Sequence, residues 1–251
     1  MQKPESRGQH AAGRRRRGRR VKSEQVTSRT SALDAVIFDM DGVLIDSEPI
    51  HFEATRALLA DLGIDYVPDL DENFFGCTDH DVFHALRARY GLAADESELA
   101  AAWVARSVGL LKGPLEPMRG VPDVLLALRR SGIRLALASS SAPAIIAATL
   151  NGLELSGLFE ITVSGHDVER GKPAPDIFLE AVRRLRVRPD SLLVVEDSFN
   201  GLAAAVGAGI RCVAVPCAST ARQDFTRATV RLRDLTELLP WLDACGLVRL
   251  S

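Results

Sequence analysis

The sequence predicts an α/β protein: a doubly wound, parallel-sheet (Rossmann-like) core interrupted by an inserted all-helical domain. Three observations carry this. Short, continuously apolar runs alternate with stretches of helical length, as in strands covered on both faces. Between the first and second apolar runs lies one long interval that reads as helices and holds no convincing strand. The chain has 251 residues, 47% of them apolar, enough for one core domain with an insert.

In chain order, residues 1–31 come first. They carry ten Lys/Arg against two Glu, include GRRRRGRR at 13–20, and hold almost no large apolar side chain. Such a segment cannot bury enough surface to offset its ordering entropy, so it reads as a disordered, dispensable tail. The core is expected over 32–47 and 117–251 and the insert over 48–116, bounded by SEP (47–49) and GPLEP (113–117). Strands are expected at Leu33–Phe38, Ile133–Ala138, Ile161–Val163, Leu192–Val195 and Cys212–Val215. Core helices are expected at 121–131, 143–151, 175–187 and 199–208. Pro122, Pro143 and Pro175 stand near helix starts, and Gly132, Gly152 and Gly209 near helix ends. Insert helices are expected at 49–62, 79–90 and 95–111, the second opened by a capping box in TDHD (78–81).

Bulk properties narrow the function classes. No apolar run approaches the ~20 residues that span a bilayer, so no membrane partner is expected. The four cysteines form no CxxC pair, which argues against a zinc ribbon, a redox motif or a disulfide framework. No apolar stretch follows the tail's arginines as an export signal requires. A reducing cytoplasm fits best. The tail is the one feature that nucleic acid would recognise, and its composition alone does not call for such a partner.

The chemistry gathers at the strand ends, where doubly wound sheets bind ligands. The first strand ends in Asp39 and Asp41, the second in Ser139-Ser140-Ser141 and the fourth in Glu196-Asp197, while Lys172 follows the third in RGKPAPD. Crowded carboxylates repel one another, a cost that a bound cation removes. Oxygen ligands without histidine or thiolate favour a hard cation, Mg²⁺. A hydroxyl, an ammonium and a helix N-terminus are parts of a phosphate cradle. Together they describe a phosphoryl-transfer site in which Asp39 can attack phosphorus. Gly42 supplies the turn that brings Asp41 into the same site.

DMDGVLIDSEP, ALASSS, GKPAPD and VVEDSFNG resemble the four signature motifs of the haloacid dehalogenase superfamily, over residues 33 to about 240. The resemblance implies that Asp39 is the nucleophile and Asp41 the general acid/base, with the Asp41 backbone carbonyl on Mg²⁺. It implies that Ser139, with Ser140 as an accessory, binds the transferred phosphoryl group and that Lys172 offsets its charge. Asp197 becomes a metal ligand, and Glu196 binds the metal directly or through water. The insert resembles the helical cap of the phosphoglucomutase-like branch. There a histidine at the place of His51 contacts the site, and the loop matching FFGCTDHD (74–81) selects substrates, which points to Gly76 and Thr78.

The reading is therefore a Mg²⁺-dependent phosphatase of a small phosphorylated metabolite, with sugar phosphates leading. A β-phosphoglucomutase-like phosphohexomutase is the alternative, and a non-catalytic binder tethered to nucleic acid by the tail is the weakest reading. The familiar mutase cap has an arginine directly after its Gly-x-Ser/Thr unit, to hold a second phosphate. Asp79 stands at that place and would repel one.

Overall fold

A computed structural model of the chain describes residues 33–66 and 76–248. The tail 1–31 and the aromatic pair Phe74-Phe75, read from sequence as cap core, lie outside the described residues. The sheet has six parallel strands in the order β3-β2-β1-β4-β5-β6. They are β1 (Ala35–Phe38), β2 (Arg134–Ser139), β3 (Ile161–Ser164), β4 (Leu192–Glu196), β5 (Arg211–Ala214) and β6 (Val230–Arg231). Strand order reverses between β1 and β4, which pair in register from Ala35–Leu192 to Phe38–Val195. That switch point opens a crevice beyond the carboxyl ends of β1 and β4.

Alternate residues of each strand feed two apolar layers. Val36, Phe38, Leu135, Leu137, Leu193 and Val195 face one cluster, with α4 (Val121–Arg130), α5 (Pro143–Gly152) and α8 (Leu238–Ala244). Ala35, Ile37, Ala136, Ala138 and Val194 face the other, with α6 (Asp176–Leu185) and α7 (Phe199–Gly207). Burial on both faces is why these strands read as unbroken apolar runs.

Between β1 and α4 lie α1 (Glu48–Asp61), α2 (Asp79–Tyr90) and α3 (Glu96–Leu110), with no strand among the described residues. Their buried Leu58, Phe83, Leu99 and Trp103 continue the first apolar cluster. The expected capping box is present. Asp81 N–H donates to Thr78 Oγ1, and the Asp81 carboxylate accepts from Thr78 N.

Gly132 and Gly209 sit just past α4 and α7 with positive φ, as helix-stopping glycines should. Gly152 differs. It is the last residue of α5, and the left-handed residue beyond it is Glu154. A Cβ on Gly152 would lie 2.7 Å from Leu115 Cδ1, so glycine there serves the close crossing of the returning linker. The short strand β6 and helix α8 are additions to the sequence reading. Two residues are too few for a periodic signal, and Pro240 inside LLPWLDA disguises a helix whose first turn tolerates it.

Candidate active site

The site begins where β1 stops. Asp39 N–H still donates to Val195 O at 2.9 Å, and then the chain turns about Met40 O, which accepts from Leu44 N at 2.8 Å. Gly42 adopts φ +75°, and a Cβ there would fall 2.2 Å from Asp197 Oδ2. Glycine is needed both for the turn and for the approach of the β4 carboxylate.

Lys172 is fully buried beneath this turn. Its Nζ donates to Asp39 Oδ1 at 2.8 Å, to Glu196 Oε1 at 2.6 Å and to Ala138 O at 3.3 Å. Burial alone would push the ammonium down, but the two carboxylates outweigh it and hold its pKa above the ordinary lysine value.

Glu196 is spent on its surroundings. Oε1 accepts from Lys172, and Oε2 accepts from Asp197 N, Ser198 N and Ser198 Oγ at 2.9–3.0 Å. It lies within the cluster Asp39–Glu196–Asp197, whose oxygens fall within 4.8 Å of one another. Asp197 Oδ2 accepts from Thr220 Oγ1 at 3.1 Å and from the Cys217 thiol at 3.3 Å. Burial first, then the neighbouring carboxylates, push the carboxyls of Asp39 and Asp197 upward, although Lys172 opposes this at Asp39. Three converging carboxylates under this load, with an all-oxygen donor set, fit a hard divalent cation.

Asp41 stands on the same floor. Its Oδ2 accepts from Ser139 Oγ at 3.2 Å and Ser141 Oγ at 2.9 Å. Its Oδ1 is buried and accepts no hydrogen bond, with His51 Nε2 3.7 Å away. The His51 ring also packs on Trp103, 5.2 Å between centroids. Ser140 Oγ donates to Gly76 O at 2.7 Å, joining the end of β2 to the cap loop.

A cavity of about 470 Å³ opens over Asp39, Asp41, Ser140 and Asp197, with His51, Gly76 and Asp79 on its cap side. Ser139 and Lys172 stand behind the floor. Thr78 does not line this cavity. Its hydroxyl caps α2, and its methyl packs near Gly165 and Gly171.

Sequence reasoning passed over four neighbours. Ser141 shares Asp41 with Ser139, and its place in the Ser139-Ser140-Ser141 run was the available signal. Cys217 and Thr220 hold Asp197 from beyond β5, and His166 Nε2 reaches Asp79 Oδ1 at 2.8 Å. No local pattern marks these three.

A family model described as haloacid dehalogenase-like hydrolase matches residues 33–209. Protein CbbY of Cereibacter sphaeroides is 32% identical, over 82% of this chain and 94% of that protein. A phosphorylated carbohydrates phosphatase of Thermotoga maritima is 34% identical, over 71% and 82%. A crystal structure of a CbbY mutant from Rhodobacter sphaeroides in complex with xylulose-(1,5)bisphosphate superposes with a TM-score of 0.76 at 29% identity, covering 82% of this chain and 96% of that one. The match across both sheet and cap shows that the chain belongs to the haloacid dehalogenase-like hydrolases.

Proposed function

We propose that this protein is a Mg²⁺-dependent phosphatase that hydrolyses a small phosphorylated metabolite, a sugar phosphate foremost, through a phospho-aspartate at Asp39. One observation carries the reading. Asp39 and Asp41 stand together on the floor of one cavity, Asp39 held by Lys172 through a single oxygen and Asp41 with a buried oxygen that accepts nothing.

In the first step the other oxygen of Asp39 forms a bond to phosphorus as the bond to the leaving oxygen breaks. Asp41 gives that oxygen its proton, so a neutral alcohol departs. In the second step a water attacks phosphorus and Asp41 takes its proton back. The P–O bond to Asp39 breaks, releasing phosphate and the free carboxylate. The backbone that follows β2 receives the phosphoryl oxygens, with Ser140 beside it at the cavity floor and Ser139 behind it. Ser141 and Ser139 aim the Asp41 carboxyl, and Lys172 neutralises Asp39 before and after transfer. Mg²⁺ would be held by Asp39, Asp197 and the Asp41 backbone carbonyl, with Glu196 anchoring Lys172 and binding the ion directly or through water; when bound, it would supply positive charge against the phosphoryl oxygens. Residues 48–116 act as a cap over the core formed by 32–47 and 117–251. The relatives' carbohydrate and sugar-phosphate chemistry supports this substrate class.

The test is a phosphate-release screen across phosphometabolites with Mg²⁺. Alongside it, glucose 6-phosphate formation from β-glucose 1-phosphate is followed with and without glucose 1,6-bisphosphate. Phosphate release without isomerisation is expected. Rapid, bisphosphate-dependent isomerisation with little free phosphate would make the protein a mutase instead.

A further inference from the structure

The cap side of the cavity has a one-sided charge. Among the described residues that line it, none is Lys or Arg, while Glu48 and Asp79 bring two carboxylates.

Asp79 is the sharper of the two lining acids. It is 5% exposed at the N-terminus of α2. Oδ1 accepts from His80 N at 3.1 Å and meets Nε2 of the core residue His166 at 2.8 Å. Oδ2 is buried and accepts nothing. A buried carboxylate oxygen without a donor carries a desolvation cost that a ligand hydroxyl or N–H can remove. On the wall beside it Trp103 Nε1 donates to Thr55 Oγ1 at 3.0 Å, and Thr55 Oγ1 donates to His51 O at 2.8 Å, so these two side chains are spent on one another, while the His51 ring faces Asp41.

We propose that the cap selects phosphomonoesters bearing a single phosphate on an uncharged alcohol, that Asp79 Oδ2 accepts a hydroxyl or N–H from that alcohol, and that Asp79 and Glu48 turn away a second phosphate or carboxylate. His166 is a positioning residue, holding Asp79 from the core. The inference rests on the phosphatase reading and narrows its substrate class. It separates this chain from an enzyme that accommodates a sugar bisphosphate.

The experiment compares matched pairs: glucose 6-phosphate with glucose 1,6-bisphosphate, and ribulose 5-phosphate with ribulose 1,5-bisphosphate. Phosphate release by the full chain is measured with Mg²⁺, and binding to Asp39→Asn is measured by calorimetry. The monophosphate of the better pair should be favoured by about 100-fold in kcat/KM and in affinity, the size of two like-charge repulsions of about tenfold each. Asp79→Asn keeps the shape and removes the charge, and should narrow that ratio about tenfold. His166→Gln should weaken affinity for the monophosphates more than for p-nitrophenyl phosphate, which offers Asp79 no hydroxyl or N–H. Bisphosphates bound or turned over as well as monophosphates, or a ratio that Asp79→Asn does not move, would overturn the proposal. Absence of phosphate release from every substrate, p-nitrophenyl phosphate included, would overturn the phosphatase reading, while the binding ratio still decides the selectivity.

Discussion

Lys172 Nζ lies 2.8 Å from Asp39 Oδ1, with both side chains almost wholly removed from solvent. The same ammonium lies 2.6 Å from Glu196 Oε1, so one cation joins the ends of β1 and β4 across the switch point. Lys172→Met should therefore do more than slow the reaction. It leaves two buried carboxylates facing each other without a counter-charge, a loss of about 3–5 kcal/mol. Denaturant melts without Mg²⁺ should show it, and an unchanged midpoint would contradict the buried triad.

Asp39→Asn keeps the side-chain shape but offers a poor nucleophile. Turnover should fall by about 10³-fold or more with the fold retained, as when other covalent nucleophiles are removed. Substantial phosphate release by pure, folded protein would rule out the covalent route.

Asp41→Asn should discriminate among leaving groups. The Ser139 and Ser141 hydroxyls can still bond to the amide oxygen, so the turn should persist. Proton donation is lost, a contribution of about 10²–10⁴. Aryl phosphates need that proton less and should lose less than alkyl phosphates. Equal losses for both would count against the acid/base role.

Gly201→Ala should damage the site from behind. A Cβ there would stand 1.6 Å from Glu196 Oε1, the atom that accepts from Lys172. Gly109, inside α3, has open space around it, and alanine there should be neutral or stabilise by about 0.5–1 kcal/mol. Melting temperature and kcat together separate the two variants. Similar behaviour by both would argue against the packing of α7 on Glu196.

Stability should depend on pH in a direction that Mg²⁺ reverses. Burial first, then Glu196 and Asp41, push Asp39 from 3.8 to about 8 against the pull of Lys172, and Asp197 is raised as well. The metal-free native state thus holds protons that the unfolded chain has released. Its stability should fall as pH rises from about 4 towards 8. Mg²⁺ needs the ionised carboxylates. The rise in melting temperature on adding Mg²⁺ should accordingly be larger near pH 8 than near pH 5. A pH-independent rise would mean that the ion binds elsewhere.

The sequence by itself determined the alternation of strand and helix, the helical insert and the delivery of Asp39, Asp41, Ser139, Lys172, Glu196 and Asp197 to one edge of the sheet. Each of these residues follows a continuous apolar run or, for Lys172, stands just before a helix-opening signal, and period and punctuation are local properties of a chain. Only the tertiary structure decided what each side chain does there. Ser139 and Ser141 meet Asp41 across 98 and 100 residues of sequence, and His166 meets Asp79 across 87. Glu196 offers its oxygens to its own turn and to Lys172, partners that its place beside Asp197 does not name. Thr78 caps α2 as the TDHD pattern predicts, and only the packing shows that it does not line the cavity over Asp39 and Asp41. Periodicity states which face of an element is buried. It does not state which side chains from different elements share a hydrogen bond, because that depends on crossings such as Leu115 on Gly152 and Asp197 on Gly42, set when the layers pack.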